Sequence, residues 1–228
     1  MTAIVWFRQD LRLADNPALA AGARCGKILA VYILDDITPG PWRMGGASRW
    51  WLHHSLASLR RTLGHLVLRR GDPLDELKQL VADTGATHVF WNRCYEPFAV
   101  ERDRRIKAEL ARQTDVQTFN AALLHEPWDI KTGSGEPFKV FTPFWRAASR
   151  QLFAQPLPCP KIELAQTDAA SDKLEDWHLT PGKPDWAADW LRHWTPGEAG
   201  ARARLDEFLR QGIRGYGTLR DRPDLAST

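Results

Sequence analysis

The chain has 228 residues, a net charge of +3, and hydrophobic and charged fractions of 43% and 26%, which permit a sizeable core and exclude global disorder. So mild a charge allows an anionic partner without demanding one. Cys25, Cys94 and Cys159 form no disulfide framework or metal spacing, Met1 to Val5 is no signal peptide, and no apolar run nears the ~18 residues that span a bilayer, so a cytoplasmic protein with no membrane contact is expected.

Val5 to Phe7 is an apolar strand that runs into a loop carrying Arg8, Asp10, Arg12 and Asp15. Asn16 suits an N-cap and Pro17 the first helical position, where a missing N–H costs nothing. Lys27 to Leu34 reads as a second, buried strand. Asp35 to Arg43 is a Pro/Gly loop, and a helix follows from about Ala47, with Leu52, Leu56, Leu59 and Leu63 as its core stripe. His65 to Arg70 is a third strand. Asp72-Pro73 opens another helix, which buries Leu74, Leu77, Leu80 and Val81. His88 to Asn92, a helix over 97–112 and Val116 to Phe119 complete five strands alternating with helices. This order predicts an α/β fold with a five-stranded parallel, doubly wound (Rossmann-like) sheet.

Beyond Leu124 the pattern changes. Lys131 to Pro137 is a turn, and Phe138 to Phe144 leads into a short helix through Phe153. Residues 155–185 form a long connector, draped over the surface or partly mobile. A helix resumes near Glu198, with Leu205, Phe208 and Leu209 as its apolar side, and the chain stops at Thr228 in a polar segment that looks cut.

No dinucleotide fingerprint, P-loop, zinc motif or nucleophile elbow is present, so spacing nominates no catalytic residue and no metal ligand. Two loops suggest a ligand cleft at the carboxyl end of the sheet. Met44-Gly45-Gly46-Ala47-Ser48 could hold an anion or ring carbonyl on backbone N–H groups, although shaping the turn is the commoner use of such glycines. Glu96, after the fourth strand, could meet a ligand or favour the helix N-terminus that follows it. Arg8 and Asp10 read as a structural ion pair. The pairs Arg60-Arg61, Arg69-Arg70 and Arg104-Arg105 read as solvated surface rather than a nucleic-acid patch, and the eleven tryptophans as fillers of cores and interfaces. On the residues alone, the chain is a cytosolic α/β domain with an anion- or ring-binding cleft.

Val5 to Leu13, followed by Asp15-Asn16-Pro17-Ala18-Leu19, resembles the opening of the DNA photolyase/cryptochrome family. Leu66 to Pro73, Trp91 to Arg105, Phe138 to Phe144 and Tyr216 to Thr228 agree in the same order. The resemblance implies an antenna domain over 1–130, an interdomain connector over 131–197, and over 198–228 the start of a helical FAD-binding domain. In that family light excites reduced FAD, directly or through the antenna chromophore. The flavin then donates an electron to a flipped-out pyrimidine dimer, which splits.

The resemblance assigns Tyr216 and Thr228 to a partial FAD site and leaves the electron-transfer tryptophans and most contacts to damaged DNA outside this chain, so the fragment alone is expected to be inactive. It implies an antenna chromophore contacted by Arg8, Ile33, Leu34, Met44, Gly45, Ala47, Tyr95 and Glu96. Family members with a folate antenna often carry an Asn-Glu pair where this chain has Phe98 and Ala99, so a flavin or deazaflavin is expected, or an empty cleft. The expected whole protein is a monomeric light-dependent DNA repair photolyase. The alternatives are a cryptochrome-type light sensor without repair, and a stand-alone chromophore- or nucleotide-binding α/β module.

Overall fold

Five parallel strands form the sheet that the alternation of apolar runs and helical stripes predicts. In a computed structural model describing residues 1–222 and 224, the order is β1 (Thr2–Phe7), α1 (Pro17–Cys25), β2 (Lys27–Leu34), α2 (Gly46–Leu63), β3 (Val67–Arg70), α3 (Pro73–Thr84), β4 (His88–Asn92), α4 (Pro97–Leu110), β5 (Asp115–Phe119), α5 (Phe141–Ala148), α6 (Trp190–His193), α7 (Glu198–Glu207) and α8 (Tyr216–Leu219). The residues divide into two compact units. The first is Met1–Pro41 with Val67–Ser171, and the second is Trp42–Leu66 with the residues from Asp172 onward.

In the first unit the strand order is β3-β2-β1-β4-β5, all parallel. Alternate residues point to opposite faces. One face sends Ile4, Trp6, Leu29, Val31, Val89 and Trp91 into a core closed by α3 and α4 through Leu74, Leu77, Leu80, Ile106 and Leu110. On the other face α1 lies against β1, so closely that a Cβ on Gly22 would stand 2.7 Å from Val5 Cγ2. Local signals set the helix starts. Asn16 Oδ1 accepts from the Leu19 N–H at 3.1 Å, and Asp72 Oδ1 accepts from the Leu74 N–H at 2.8 Å, each just before a proline.

The connector is pinned to this unit. Leu164 forms a parallel bridge with Ile28, where the Ile28 N–H donates to Glu163 O and the Ala165 N–H to Ile28 O, each at 2.8 Å. This occupies the part of β2 before its pairing with β3 begins at Val31. Asp15 and Leu157 exchange two further hydrogen bonds, and the Leu68 N–H donates to Ser171 Oγ. Backbone groups along a strand edge require partners, and the connector supplies them. The short helix expected to reach Phe153 ends at Ala148, and Leu152 beyond it is 97% exposed.

In the second unit the leucine stripe of α2 is buried as expected, with Leu52, Leu56, Leu59 and Leu63 all at or below 9% exposure. Trp50, on the same helix, is the centre of a ring cluster. Its centroid is 4.4 Å from His54, 5.1 Å from Trp190 and 6.3 Å from Trp51; Trp186 lies 5.1 Å from Trp190 and Trp194 lies 5.9 Å from Trp51. Gly197, at φ +105°, brings the start of α7 against Ser58 so tightly that a Cβ there would collide with the serine side chain. Leu205 lies on α7, and Phe208 and Leu209 lie on the π-helical turn that follows it, but Leu205 and Leu209 are more than half exposed.

Candidate functional site

The sheet order reverses between β1 and β4, and the loops after these strands flank the crevice where ligands of open α/β sheets bind. Here the crevice is filled by side chains of the chain itself. The Arg8 guanidinium bridges to both oxygens of Asp103 on α4, at 2.8 and 2.7 Å, and donates to Asn92 O at the end of β4. Its link to Asp10 runs through the backbone, with the Arg8 N–H 2.7 Å from Asp10 Oδ1. The Arg8–Asp10 ion pair expected from the sequence is therefore replaced by an Arg8–Asp103 pair, because the adjacency of β1 and β4 carries Arg8 toward α4. Asp10 instead accepts from Asn92 Nδ2, which also donates to Asn16 Oδ1 at 2.7 Å.

Asp103 is the hub. It also accepts from Arg102 and, at 3.1 Å, from Trp91 Nε1, while Arg102 reaches Asp35 Oδ2 at 3.2 Å. Both guanidiniums lie over the Trp6 ring, at 4.7 Å for Arg8 and 5.1 Å for Arg102. Buried ions are tolerated when paired and hydrogen-bonded; Asp103 and Asp35 are paired with arginines, and Asp10 is hydrogen-bonded to the Arg8 N–H and to Asn92. Burial pushes the Tyr32 hydroxyl and the Cys94 thiol up from their usual ranges, so both are protonated at neutral pH.

Above this locked layer lies a second, less buried one. Gln9 Nε2 donates to Glu96 Oε1 at 2.8 Å, a bond that holds the Glu96 carboxyl below its usual range. Glu96 Oε2 is buried with no partner among the described residues. The Tyr95 hydroxyl donates to Glu126 Oε2 at 2.9 Å, and Glu126 also takes the Arg93 guanidinium. Burial, and then the Glu126 bond, push the Tyr95 hydroxyl up. Glu96 stands at the N-cap of α4, but its side chain makes no capping bond.

The structure thus brings Arg8, Tyr95 and Glu96 to the loops after β1 and β4, and places Ile33 and Leu34 at the end of β2 with 4% and 0% exposure. Met44, Gly45 and Ala47 belong to the second unit, at the start of α2, where a Cβ on Gly46 would stand 3.0 Å from the Trp186 ring. That packing accounts for a glycine there. Tyr216 opens α8, 46% exposed, with the Arg220 guanidinium 6.0 Å from its ring, and Thr228 lies outside the described residues. Of the basic pairs, Arg60 and Arg61 are exposed, Arg104 pairs with Glu101, and Arg105 pairs with Asp72 at 2.6 Å. Asp103, Arg102, Asp35 and Glu126 were not singled out in the sequence. For Arg102 and Asp103 the one signal was an Arg-Asp inside a helix whose neighbouring arginines read as surface. No metal-binding cluster and no helix long and apolar enough to cross a membrane exist among the described residues.

The order β3-β2-β1-β4-β5, with helices on both faces, places the first unit among the doubly wound α/β domains. Residues 3–161 match the family model described as DNA photolyase, and the chain belongs to the DNA photolyase family. It is 44% identical to a deoxyribodipyrimidine photo-lyase of Agrobacterium fabrum over 99% of this chain and 48% of that protein. It is 34% identical to cryptochrome-1 of Arabidopsis thaliana over 99% of this chain and 34% of that protein. Among solved structures, a bacterial class III photolyase from Agrobacterium tumefaciens superposes with a TM-score of 0.93 at 42% identity, over 100% of this chain and 48% of the other. The chain spans about half the length of these photolyases.

Proposed function

We propose that this chain is the N-terminal part of a light-dependent DNA repair photolyase that splits pyrimidine dimers in damaged DNA. The observation that carries this reading is the end-to-end match, in sequence and in fold, to one half of a photolyase. In this reading residues 1–130 are the antenna domain, 131–197 the connector and 198–228 the start of the FAD-binding domain. The whole protein is a cytoplasmic monomer, and the fragment alone has no repair activity. Reduced FAD, when bound and photoexcited, supplies the electron that opens the dimer. Tyr216, with Arg220 beside it, offers a hydroxyl and a cation suited to a flavin diphosphate, and the family resemblance adds Thr228 to the same partial site.

For the antenna, the first unit offers an orphaned carboxylate oxygen, Glu96 Oε2, beside Tyr95 at the sheet's carboxyl end. A ring N–H would satisfy it, since a buried acceptor without a partner carries an uncompensated desolvation cost. Ile33 and Leu34, buried at the end of β2, support the loops from beneath together with Arg8. Phe98 and Ala99 replace the Asn-Glu pair of folate users, which supports a flavin or deazaflavin there.

The test is blue-light repair of thymine dimers by the intact gene product, with the 228-residue chain assayed beside it. Light-dependent dimer loss with the intact protein and none with the fragment is expected. An intact protein that retains flavin and responds to light without repairing would establish the cryptochrome-type reading, which the Arabidopsis match keeps in view. Extraction of a folate from the intact protein would overturn the flavin or deazaflavin assignment.

A further inference from the structure

Helix α5 is apolar on the side that faces water. Phe141 is 71% exposed, Val140 62% and Trp145 49%, and within the helix only Ala148 is buried. The rings touch one another. Phe138–Phe144, Phe141–Phe144 and Phe141–Trp145 centroids are each 6.4 Å apart, and the last pair is stacked at 7°. An eight-residue helix is too short to hold itself in water and depends on tertiary contact. A cluster of exposed rings of this kind marks an interaction surface rather than ordinary scatter of apolar residues. Lys139, Arg146 and Arg150 surround it, exposed and with no partner among the described residues.

We propose that the ring face of α5 is an intramolecular docking surface, covered in the intact protein by the polypeptide that the photolyase relatives carry beyond the matched half. This rests on the proposed function. The alignment uses 99% of this chain but 48% of the Agrobacterium protein, so just over half of that protein lies outside the matched region. A covalently tethered partner meets the surface at high effective concentration, so a modest apolar face suffices. The three cations call for acidic side chains around an apolar centre on the covering segment. Cations beside aromatics could also serve nucleic acid, but base platforms present open ring faces. Here Phe141 and Trp145 stack on each other, and the aliphatic Val140 lies beside them.

Amide exchange, followed by mass spectrometry on the 228-residue chain and on the intact gene product, tests this. Exchange over 138–153 should slow about tenfold or more in the intact protein, and exchange over 205–219 should slow as well if the FAD-binding domain begins at 198. Slowing at 205–219 with none at 138–153 overturns the docking surface and leaves the proposed function standing. Slowing at neither segment, in a product that retains no flavin, overturns both. Protection at 138–153 that appears only on adding DNA, or only as the fragment is concentrated, assigns the face to nucleic acid or to a second copy and overturns the proposal. The double variant Phe141→Asp/Trp145→Asp controls for folding. It should leave the melting temperature of the 228-residue chain unchanged and abolish the protection in the intact protein.

Discussion

At the strand ends of the first unit, three carboxylates (Asp10, Asp35 and Asp103), two guanidiniums (Arg8 and Arg102) and two amides (Asn16 and Asn92) pack beneath and around Trp6 and Trp91. In the second unit the packing around Trp50 is ring on ring, with four further indoles and His54 in successive contact. The contrast concerns what each arrangement can specify. Charge-assisted bonds are directional, so the first cluster holds the β1 and β4 loops in one geometry and tolerates no missing member. Ring packing is broad and depends on filled volume, so the second cluster can lose shape gradually but not bulk.

Deleting one member of each should separate them. Asp103→Ala strands the Arg8 and Arg102 guanidiniums without their shared carboxylate, and breaking a buried pair from one side costs about 3–5 kcal/mol. Trp50→Ala empties a site 3% exposed, and large-to-small changes at such a position cost about 3–5 kcal/mol. Urea unfolding gives the totals, and region-resolved amide exchange gives the location. Asp103→Ala should accelerate exchange in β1, β4 and α4, and Trp50→Ala in α2 and α6. Acceleration of both sets by both variants would show that the two clusters unfold as one cooperative unit.

How much of this was legible in the sequence depends on range. Asn16-Pro17 and Asp72-Pro73 announce their helix starts through contacts of two or three residues, and both caps form. The apolar run Lys27–Leu34 becomes β2, because a strand covered on both faces needs no alternation. The Arg8–Asp103 pair joins residues 95 apart, and only the placement of β1 beside β4 brings them together. Asp10 likewise pairs with Asn92 rather than with its near neighbour. The connector shows no periodicity, yet it binds the sheet edge through its backbone, which leaves no side-chain pattern to read. Glu96 was marked, but its orphaned oxygen is a property of packing.

The second cluster carries an acid sensitivity through its histidines. Burial holds the His53 imidazole below the usual histidine range, with Glu175 opposing, and burial together with the His53 charge does the same for His54. Both rings are therefore harder to protonate folded than unfolded. Their stabilising contribution is complete above the unfolded value of ~6.5 and is lost as pH falls through the lower folded values. The double variant His53→Gln/His54→Gln should flatten the decline of the melting temperature between about pH 7 and pH 5, with α2 exchange as the regional readout. An unchanged decline would place the sensitivity elsewhere.

The smallest effect expected comes from a charge of the first unit outside the buried cluster. Burial alone would raise the Asp72 carboxyl, but the Arg105 hydrogen bond and the capping N–H groups of Leu74 and Asp75 outweigh it and hold it below its usual range. A carboxyl held down in the folded state stabilises fully above the unfolded value of ~3.9, and that contribution is lost as pH falls through the lower folded value. Asp72→Asn keeps a competent cap but removes the charge, so most of its cost isolates the ion pair. Asp72 and Arg105 are both solvent-accessible, so the cost should be small and weaken with salt. The stability gap between wild type and variant should be widest near neutral pH and close below about pH 4. A gap that persists in acid would mean that Asp72 acts through its capping geometry rather than through its charge.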